Sequence, residues 1–353
     1  MTPRPVKGPN SGTLRYGSVC SGIESATVAW HPLGWEPVFF SEIEPFPRAV
    51  LSHHYPKVPL HGDFTTIRAD EYGPIDLLVG GTPCQSFSIA GLRGGLADDR
   101  GNLALEFLRL ADRKRPRWLV WENVPGVLSS NGGRDFGSIL GGMGELGYGY
   151  AYRILDAQYF GVPQRRRRVF VVAYLGDWRH PAAVLFERQS LSGNPAPRRE
   201  AQESVASLTA NGVGTCGADD NQGQAGQLIP EIVGQAMSAK WAKGTAGPAG
   251  DEHHNLVPCQ PSGCRGANGG GHAAIVYPFQ EVGTKHVVRR LTPRECERLQ
   301  GFPDDYTRVL NRNKIAADGP RYKALGNSMA VPCMRWIGKR IALTDAIAAK
   351  AAA

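Results

Sequence analysis

Gly80-Gly81-Thr82-Pro83-Cys84-Gln85-Ser86-Phe87-Ser88 decides the reading of this chain. The run before it, Ile75-Asp76-Leu77-Leu78-Val79, is mostly apolar and predicts a buried strand of a parallel sheet, which the glycines then end. Cys84 therefore emerges at the carboxyl end of a strand, where open α/β sheets place their chemistry. Pro83 stiffens the approach, and Gly91, Gly94 and Gly95 predict a hinged loop behind it. Alone, Cys84 reads as a small buried thiol. The residues it keeps company with argue for a reactive one.

On both sides of this stretch, strand and helix signals alternate. Leu14 to Val19 predicts a strand ending in Cys20-Ser21-Gly22, Glu24 to Trp30 a helix, and Pro37 to Phe40 a strand running into Ser41-Glu42-Ile43-Glu44. A helix to about His53 follows. Beyond Cys84 the pattern gives a helix over Leu103 to Arg113, a strand at Trp118 to Trp121, a helix around Phe136 to Leu146, and strands near Tyr152 and Val169. Such a βαβα order predicts a doubly wound sheet. From about Gln189 to Gly271 the rhythm breaks, with glycine, alanine, asparagine, glutamine and serine dominating, so a loop-rich region is expected there. Past Tyr277 regular structure resumes. A helix is predicted at Pro293 to Leu299 behind an N-cap at Thr292, with Glu295 and Arg298 as a helix-spaced charge pair, and a last helix runs from Met329 to about Ile347.

With 353 residues and 42% hydrophobic content, the chain is long enough for one large domain and a smaller one. Met1 to Asn10 has basic residues but no apolar run, and no stretch reaches membrane-spanning length, so a soluble, cytoplasmic protein is expected. Seven widely spread cysteines, an odd number, argue against a disulfide framework and for a reducing compartment. A net charge of +8 fits a polyanionic partner.

Three clusters carry chemistry. The turn Cys20-Ser21-Gly22-Ile23, with Glu42 after the second strand and Asp63 after Gly62, is an arrangement for gripping a nucleoside: a tight turn, then acids for ribose hydroxyls or an adenine amine. There is no G-x-G-x-x-G and no Walker lysine, which disfavours a dinucleotide or a triphosphate. Trp118-Leu119-Val120-Trp121-Glu122-Asn123-Val124-Pro125-Gly126 places a carboxylate at the end of a strand beside the one that delivers Cys84. Gly161-Val162-Pro163-Gln164-Arg165-Arg166-Arg167-Arg168-Val169-Phe170 enters a strand, so Arg166 and Arg168 point one way and Arg165 and Arg167 the other. His253, His254, Cys259, Cys264 and His272 fall close together, but C-x4-C without a second compact pair is a poor zinc match, and no metal is expected.

In this order the motifs resemble those of the cytosine-5 DNA methyltransferase family of bacterial and phage type: Cys20-Ser21-Gly22, Ser41-Glu42, Gly62-Asp63, Pro83-Cys84-Gln85, Arg100-Gly101-Asn102-Leu103, Glu122-Asn123-Val124, Gln164 with Arg166 and Arg168, Arg290-Leu291-Thr292-Pro293-Arg294-Glu295, and Gly326-Asn327-Ser328. The resemblance covers almost everything outside residues 189 to 276. It implies an α/β fold, a Rossmann-like doubly wound sheet binding S-adenosylmethionine, with a second, smaller target-recognition domain. Residues 12–188 would form the catalytic and cofactor domain, 189–276 the target-recognition domain, and 277–347 the return segment whose helix completes the first. By the same resemblance Cys84 is the nucleophile, Glu122 the proton donor to the base, and Arg168 and Arg166 hold the base and orient Glu122. Asp63 would take the adenine amine and Glu42 the ribose, with Cys20, Ser21, Gly22, Ile23, Ile43, Phe64, Pro83, Asn327 and Ser328 completing the cofactor site. Gln85, Ser86, Arg93, Arg165, Lys240, Lys243 and Arg265 would touch DNA. The chain departs from the family where Cys20 replaces the usual phenylalanine and Glu24 and Ser25 replace the usual glycines.

The partner implied is double-stranded DNA, met in the nucleoid by a protein that acts as a monomer, with room for a cognate restriction endonuclease. Two other readings stay open. An RNA methyltransferase could be built on the same scaffold, although Pro83-Cys84-Gln85 and the long segment after residue 188 disfavour it. A non-catalytic DNA-binding protein is the other, against which Cys84, Glu122 and Arg168 all speak, since binding alone requires none of them.

Overall fold

The computed structural model describes residues 13–83, 103–187, 234–235, 256–259 and 287–352, and of 234–235, 256–259, 287–290 and 352 the backbone alone. Cys84, Gln85, Ser86, Arg93, Lys240, Lys243 and Arg265, with the loop predicted after Pro83 and most of 189–276, lie outside the described residues. Eight strands come first in the chain: β1 (Arg15–Val19), β2 (Glu36–Ser41), β3 (Leu60–His61), β4 (Leu77–Gly80), β5 (Trp118–Asn123), β6 (Tyr148–Asp156), β7 (Gln164–Arg165) and β8 (Arg167–Leu175). All but β7 share one sheet, in the order β3-β2-β1-β4-β5-β8-β6. The first five are parallel; β8 runs antiparallel to both β5 and β6.

Strand periodicity explains how this sheet is covered on both sides. Leu77, Val79, Trp118 and Val120 face one apolar cluster, while Leu78, Leu119 and Trp121, one residue out of step, face the other. Into the first cluster pack α1 (Ser25–Trp30), α2 (Pro45–His54), α5 (Arg179–Leu185) and the long α8 (Val331–Ala352); into the second pack α3 (Leu103–Lys114) and α4 (Arg134–Glu145). The two remaining helices are α6 (Pro293–Gln300) and α7 (Asp318–Asn327). Trp30, fully buried, donates its indole N–H to the carbonyl of Met334 at 2.7 Å, and a Cβ on Gly338 would come within 2.5 Å of that ring. Thus α8 closes over α1, joining the two ends of the described chain.

The helix α6 starts as its sequence predicts. Thr292 Oγ1 accepts from the Glu295 N–H, the Glu295 carboxylate accepts from the Thr292 N–H, and Pro293 sits at the first helical position. Arg298, however, turns away from Glu295 to a bidentate pair with Asp304 at 2.6 and 2.7 Å, which the two-pronged guanidinium favours. Short strands β9 (Gly234–Gln235), β10 (Leu256–Cys259) and β11 (Val287–Arg290) pair as β7 with β9 and β10 with β11, and β12 (Leu310–Asn311) with β13 (Lys314–Ile315) makes a hairpin. No helix among the described residues is long and apolar enough to cross a membrane.

Candidate functional site

The carboxyl ends of β1, β2, β4 and β5 open onto a cavity of about 900 Å³. Cys20 and Gly22 come to it from the turn after β1, Glu42 and Ile43 from the end of β2, Asp63 and Phe64 from the turn after β3, and Gly81, Thr82 and Pro83 from the end of β4. Glu122 and Asn123 enter from β5, Arg166 and Arg168 from the edge of β8, and Gly326 and Asn327 from α7. Cys84 itself lies outside the described residues; the chain leads into it directly from Pro83.

One wall of the cavity is built by backbone turns that only certain residues tolerate. Gly22 has φ 57°, and Cys20 and Glu24 on either side are also left-handed, at 47° and 65°. The predicted helical start at Glu24 is therefore displaced to Ser25, because the chain must reverse its twist before α1 can begin. Glu42 secures the turn. Its Oε2 accepts from the Gly22 N–H at 2.8 Å and its Oε1 from the N–H groups of Ile43 and Glu44, each at 2.8 Å. The Asp63 carboxylate accepts from the Thr65 N–H at 3.0 Å. Burial, with Glu42 and Asp63 nearby, pushes the Cys20 thiol up to about 12, so it stays protonated and is no nucleophile at neutral pH.

The opposite end holds the charged groups. In the β5–β8 ladder Glu122 lies opposite Phe170, so Arg168, two residues along, shares its face, and Arg166 shares it too. Arg168 Nε sits 3.2 Å from Glu122 Oε1. Arg165 and Arg167 are exposed, as strand alternation predicts, while Arg166 is buried. Arg166 Nη2 donates to the carbonyls of Gly326 and Ser328, at 3.1 and 2.6 Å, and its Nε and Nη1 have no hydrogen-bond partner among the described residues. Burial, then the Arg168 cation, presses this guanidinium below its usual range, against the pull of Glu122. Starting above 12, it remains cationic. Burial raises the Glu122 carboxyl above the ordinary range, and the two arginines only partly oppose that rise. Gly81 makes room for it: a Cβ there would meet Glu122 Oε2 and the Met329 methyl, each at 3.0 Å.

Three residues named from sequence stand back from the cavity. The Ser21 hydroxyl is spent on the carbonyls of Ser18 and Ser41, at 3.0 and 3.2 Å, bracing the turn. Ile23 is fully buried in the core. Ser328 meets the site through its carbonyl, which holds Arg166. Others reach the cavity unannounced. Thr82 accepts from the Trp121 indole through Oγ1 at 2.9 Å and from Asn123 Nδ2 through its carbonyl at 3.1 Å, fixing the backbone that delivers Pro83. Lys323 lines the cavity and pairs with Glu44 at 2.8 Å; lying four residues before Asn327, it shares that residue's helical face, a signal the sequence did contain. Arg312, in the tip of the β12–β13 hairpin, carried no such signal. Among the described residues no group of three or more His, Cys, Asp or Glu is placed to hold a metal ion.

Glu24 gives a prediction of its own. Its carboxyl is buried, takes a hydrogen bond from Thr27 Oγ1 at 3.1 Å, and is pushed from 4.5 up to about 7, burial outweighing the bonds from Ser18 and Thr27. The folded chain therefore binds this proton more tightly than the unfolded chain does. Its stabilising contribution is complete below pH 4.5 and is lost as pH rises through about 7. Glu24→Gln, which keeps the hydrogen bond without the charge, should be more stable than the parent at pH 8 by about 3 kcal/mol and equal to it at pH 4.5, read by urea unfolding at both pH values. An equal gap at the two pH values would reject the assignment.

A model of the C-5 cytosine-specific DNA methylase family matches residues 14–343. The chain belongs to this family. Its members draw their methyl group from S-adenosylmethionine, and the sheet described above is the Rossmann-like fold of such enzymes. This methylase is 38% identical over 460 residues to a DNA N-6-adenine-methyltransferase of Escherichia phage P1, the match covering 93% of the chain and 61% of the relative. The chain thus spans about three fifths of that relative's length. It is 31% identical over 334 residues to the Type II methyltransferase M2.BsuMI of Bacillus subtilis, covering 93% of this chain and 75% of that one. With M.BsuFI, also of Bacillus subtilis, it shares 37% over 339 residues, covering 91% and 71%. In shape the methylase is similar to the Entamoeba histolytica methyltransferase EhMeth, at TM-score 0.59 and 15% identity over 94% of this chain and 98% of the other. The S. pombe Dnmt2 methyltransferase gives 0.57 and 17%, over 94% and 98%. At such identities the likeness is one of fold.

Proposed function

We propose that this methylase transfers a methyl group to carbon 5 of a cytosine swung out of duplex DNA, through a transient bond from Cys84 to carbon 6. The observation that carries the reading is a buried carboxyl, raised in pKa and held by Arg168 at 3.2 Å, one strand away from the Pro83 that leads into Cys84. Carbon 5 of cytosine is a poor nucleophile. Addition of the Cys84 thiolate at carbon 6, with the Glu122 proton passing to ring nitrogen 3, turns the ring into an enamine. The unspent donors of Arg166 suit the O2 of the same base. Carbon 5 then takes the methyl group, leaving the cofactor's sulfur as a thioether; ring nitrogen 3 returns its proton to Glu122, and loss of the carbon 5 proton to water expels the Cys84 thiolate and restores the ring.

The cavity fits the cofactor. Two acids stand at the carboxyl ends of adjacent strands beside a left-handed glycine turn, an acceptor set matched to a ribose diol and an adenine amine, which donate. Glu42, Ile43, Asp63, Phe64 and the Cys20–Gly22 turn would hold S-adenosylmethionine, with Asn327 on the facing wall. When bound, it supplies an electrophilic methyl on a sulfonium. No residue of the site reaches carbon 6 within a stacked duplex, so the base must leave the helix, at a cost of a few kcal/mol. The exposed Arg165, with Gln85, Ser86, Arg93, Lys240, Lys243 and Arg265, would contact the DNA, residues 189–276 would choose the sequence, and a cognate restriction endonuclease would share it. Residues 12–188 and 277–347 would make one catalytic domain acting as a monomer in the cytoplasm.

Methylation of an exocyclic adenine amine would need neither a thiol adding to a ring nor a protonated acid at a ring nitrogen. That chemistry sets the test. Purified protein is incubated with labelled S-adenosylmethionine and either duplex DNA or tRNA, and the nucleosides are separated. The label should appear as 5-methylcytosine from DNA. N6-methyladenine as the product, or tRNA as the better acceptor, would overturn the reading.

A further inference from the structure

We infer that Arg48 is a positioning residue for the adenosine half of the cofactor, setting the separation of Glu42 and Asp63; the inference rests on the reading of the cavity given above. The two acids leave from neighbouring strands, and one of those strands is barely a strand. β3 is an edge of two residues, paired to β2 only through Phe40 with Leu60 and Ser41 with His61. So short a ladder leaves the end of β3 free to splay unless something else ties it.

Three ties lie just beyond the ladder. The Glu42 N–H donates to the His61 carbonyl at 3.2 Å, and Ser41 Oγ donates to the Gly62 carbonyl at 2.7 Å. The third is Arg48, in the first turns of α2 and half-buried. Its Nη1 donates to the carbonyl of Glu42 and to the carbonyl of His61, both at 2.7 Å. One nitrogen thus spends its two hydrogens on the two strand ends, and both bonds are charge-assisted, the stronger kind. The carbonyl of Glu42 belongs to the acid expected at the ribose, and His61 stands two residues before the acid expected at adenine. Arg48 is absent from the cavity wall, so it can act on the ligand only through these carbonyls.

Because a single nitrogen spans both acceptors, the planar fork of arginine is not what the site uses. A lysine ammonium, with three donors at one point, should serve in its place, whereas an apolar chain of similar length should not. The test is calorimetric titration of S-adenosylhomocysteine into the full-length protein, beside steady-state kinetics on duplex DNA. Arg48→Met should weaken binding about tenfold and raise KM for S-adenosylmethionine to match, with kcat and DNA affinity within twofold of the parent. Arg48→Lys should recover most of the loss. Ser41→Ala, which removes a neighbouring tie and no charge, should move the same two constants in the same direction by less, and it keeps the test open if Arg48→Met melts too low to titrate. Parent-like affinity in Arg48→Met, a fall in kcat at unchanged KM, or lysine no better than methionine would each overturn the inference. A parent protein that binds no S-adenosylhomocysteine would overturn the cavity reading itself, a result that needs no variant and is distinguishable on that account.

Discussion

Cys84→Ser should transfer no measurable methyl group, a loss on the order of 10⁵-fold in a single-turnover assay, while its affinity for duplex DNA stays within a few-fold of the parent. The size of the loss follows from what surrounds the position. A thiol of ordinary pKa is a few units from ionisation at neutral pH; a serine hydroxyl is far from it and needs a base. The charged groups at that end of the cavity offer none. Arg166 and Arg168 are cations, and the Glu122 carboxyl is paired with Arg168 at 3.2 Å. The same variant should form no covalent complex with DNA carrying 5-fluorocytosine, from which the parent cannot eliminate. Near-normal turnover, or an adduct mapped to another cysteine, would end the assignment. Cys20 is the competing thiol in the cavity, and a pKa pushed up to about 12 argues against it.

Glu122→Gln is the second large effect. The amide keeps the shape that Gly81 admits and can still accept from Arg168, so the fold and the ion's pocket are respected. What it lacks is a proton to give to the base. A decrease in kcat of about 10²- to 10⁴-fold at unchanged DNA affinity is expected. The pH profile carries independent information. With Glu122 as the proposed proton donor its active form is the protonated one, and burial raises its pKa above the ordinary carboxyl range, so the parent's rate should fall as pH rises through that raised value. In the variant that falling limb should vanish. A Glu122→Gln enzyme with the parent's rate, or with the same limb, would show that the proton comes from elsewhere.

Much of this architecture was legible because apolar strand runs and turn residues report on local chemistry. The run ending at Val79, the one at Trp118, and the acid after β2 could be ordered by the βαβα rhythm, whereas the two-residue β3 before Asp63 is too short to show a period. The two faces of the Arg165–Arg168 run also followed from alternation, and they are found as expected. Strand direction was harder. The consecutive strands predicted near Tyr152 and Val169 carry no signal of direction in their composition, and β8 lies between β5 and β6 antiparallel to both. Only residues 157–166 link β6 to β8, too few for a crossover helix, so direction was encoded in a loop length and not in composition. Helices α5 and α7 carry Pro181 and the Gly319-Pro320 pair, residues that disfavour a helix in sequence, although both prolines sit in first turns, where a missing N–H costs nothing. The roles of Ser21, Ile23 and Ser328 depend on which atom faces the cavity, and periodicity does not distinguish a side chain from its own carbonyl.

The clasp between Trp30 and Met334 has a bearing on how the protein comes into being. The two residues are 304 positions apart, so a ribosome adding about 5–20 residues per second needs roughly 15–60 s after making α1 to make its cover. Through that interval the part of the first sheet face that α8 covers stays open, and the wall contributed by Gly326 and Asn327 does not yet exist. The cavity is accordingly complete only once translation has passed α7 and α8.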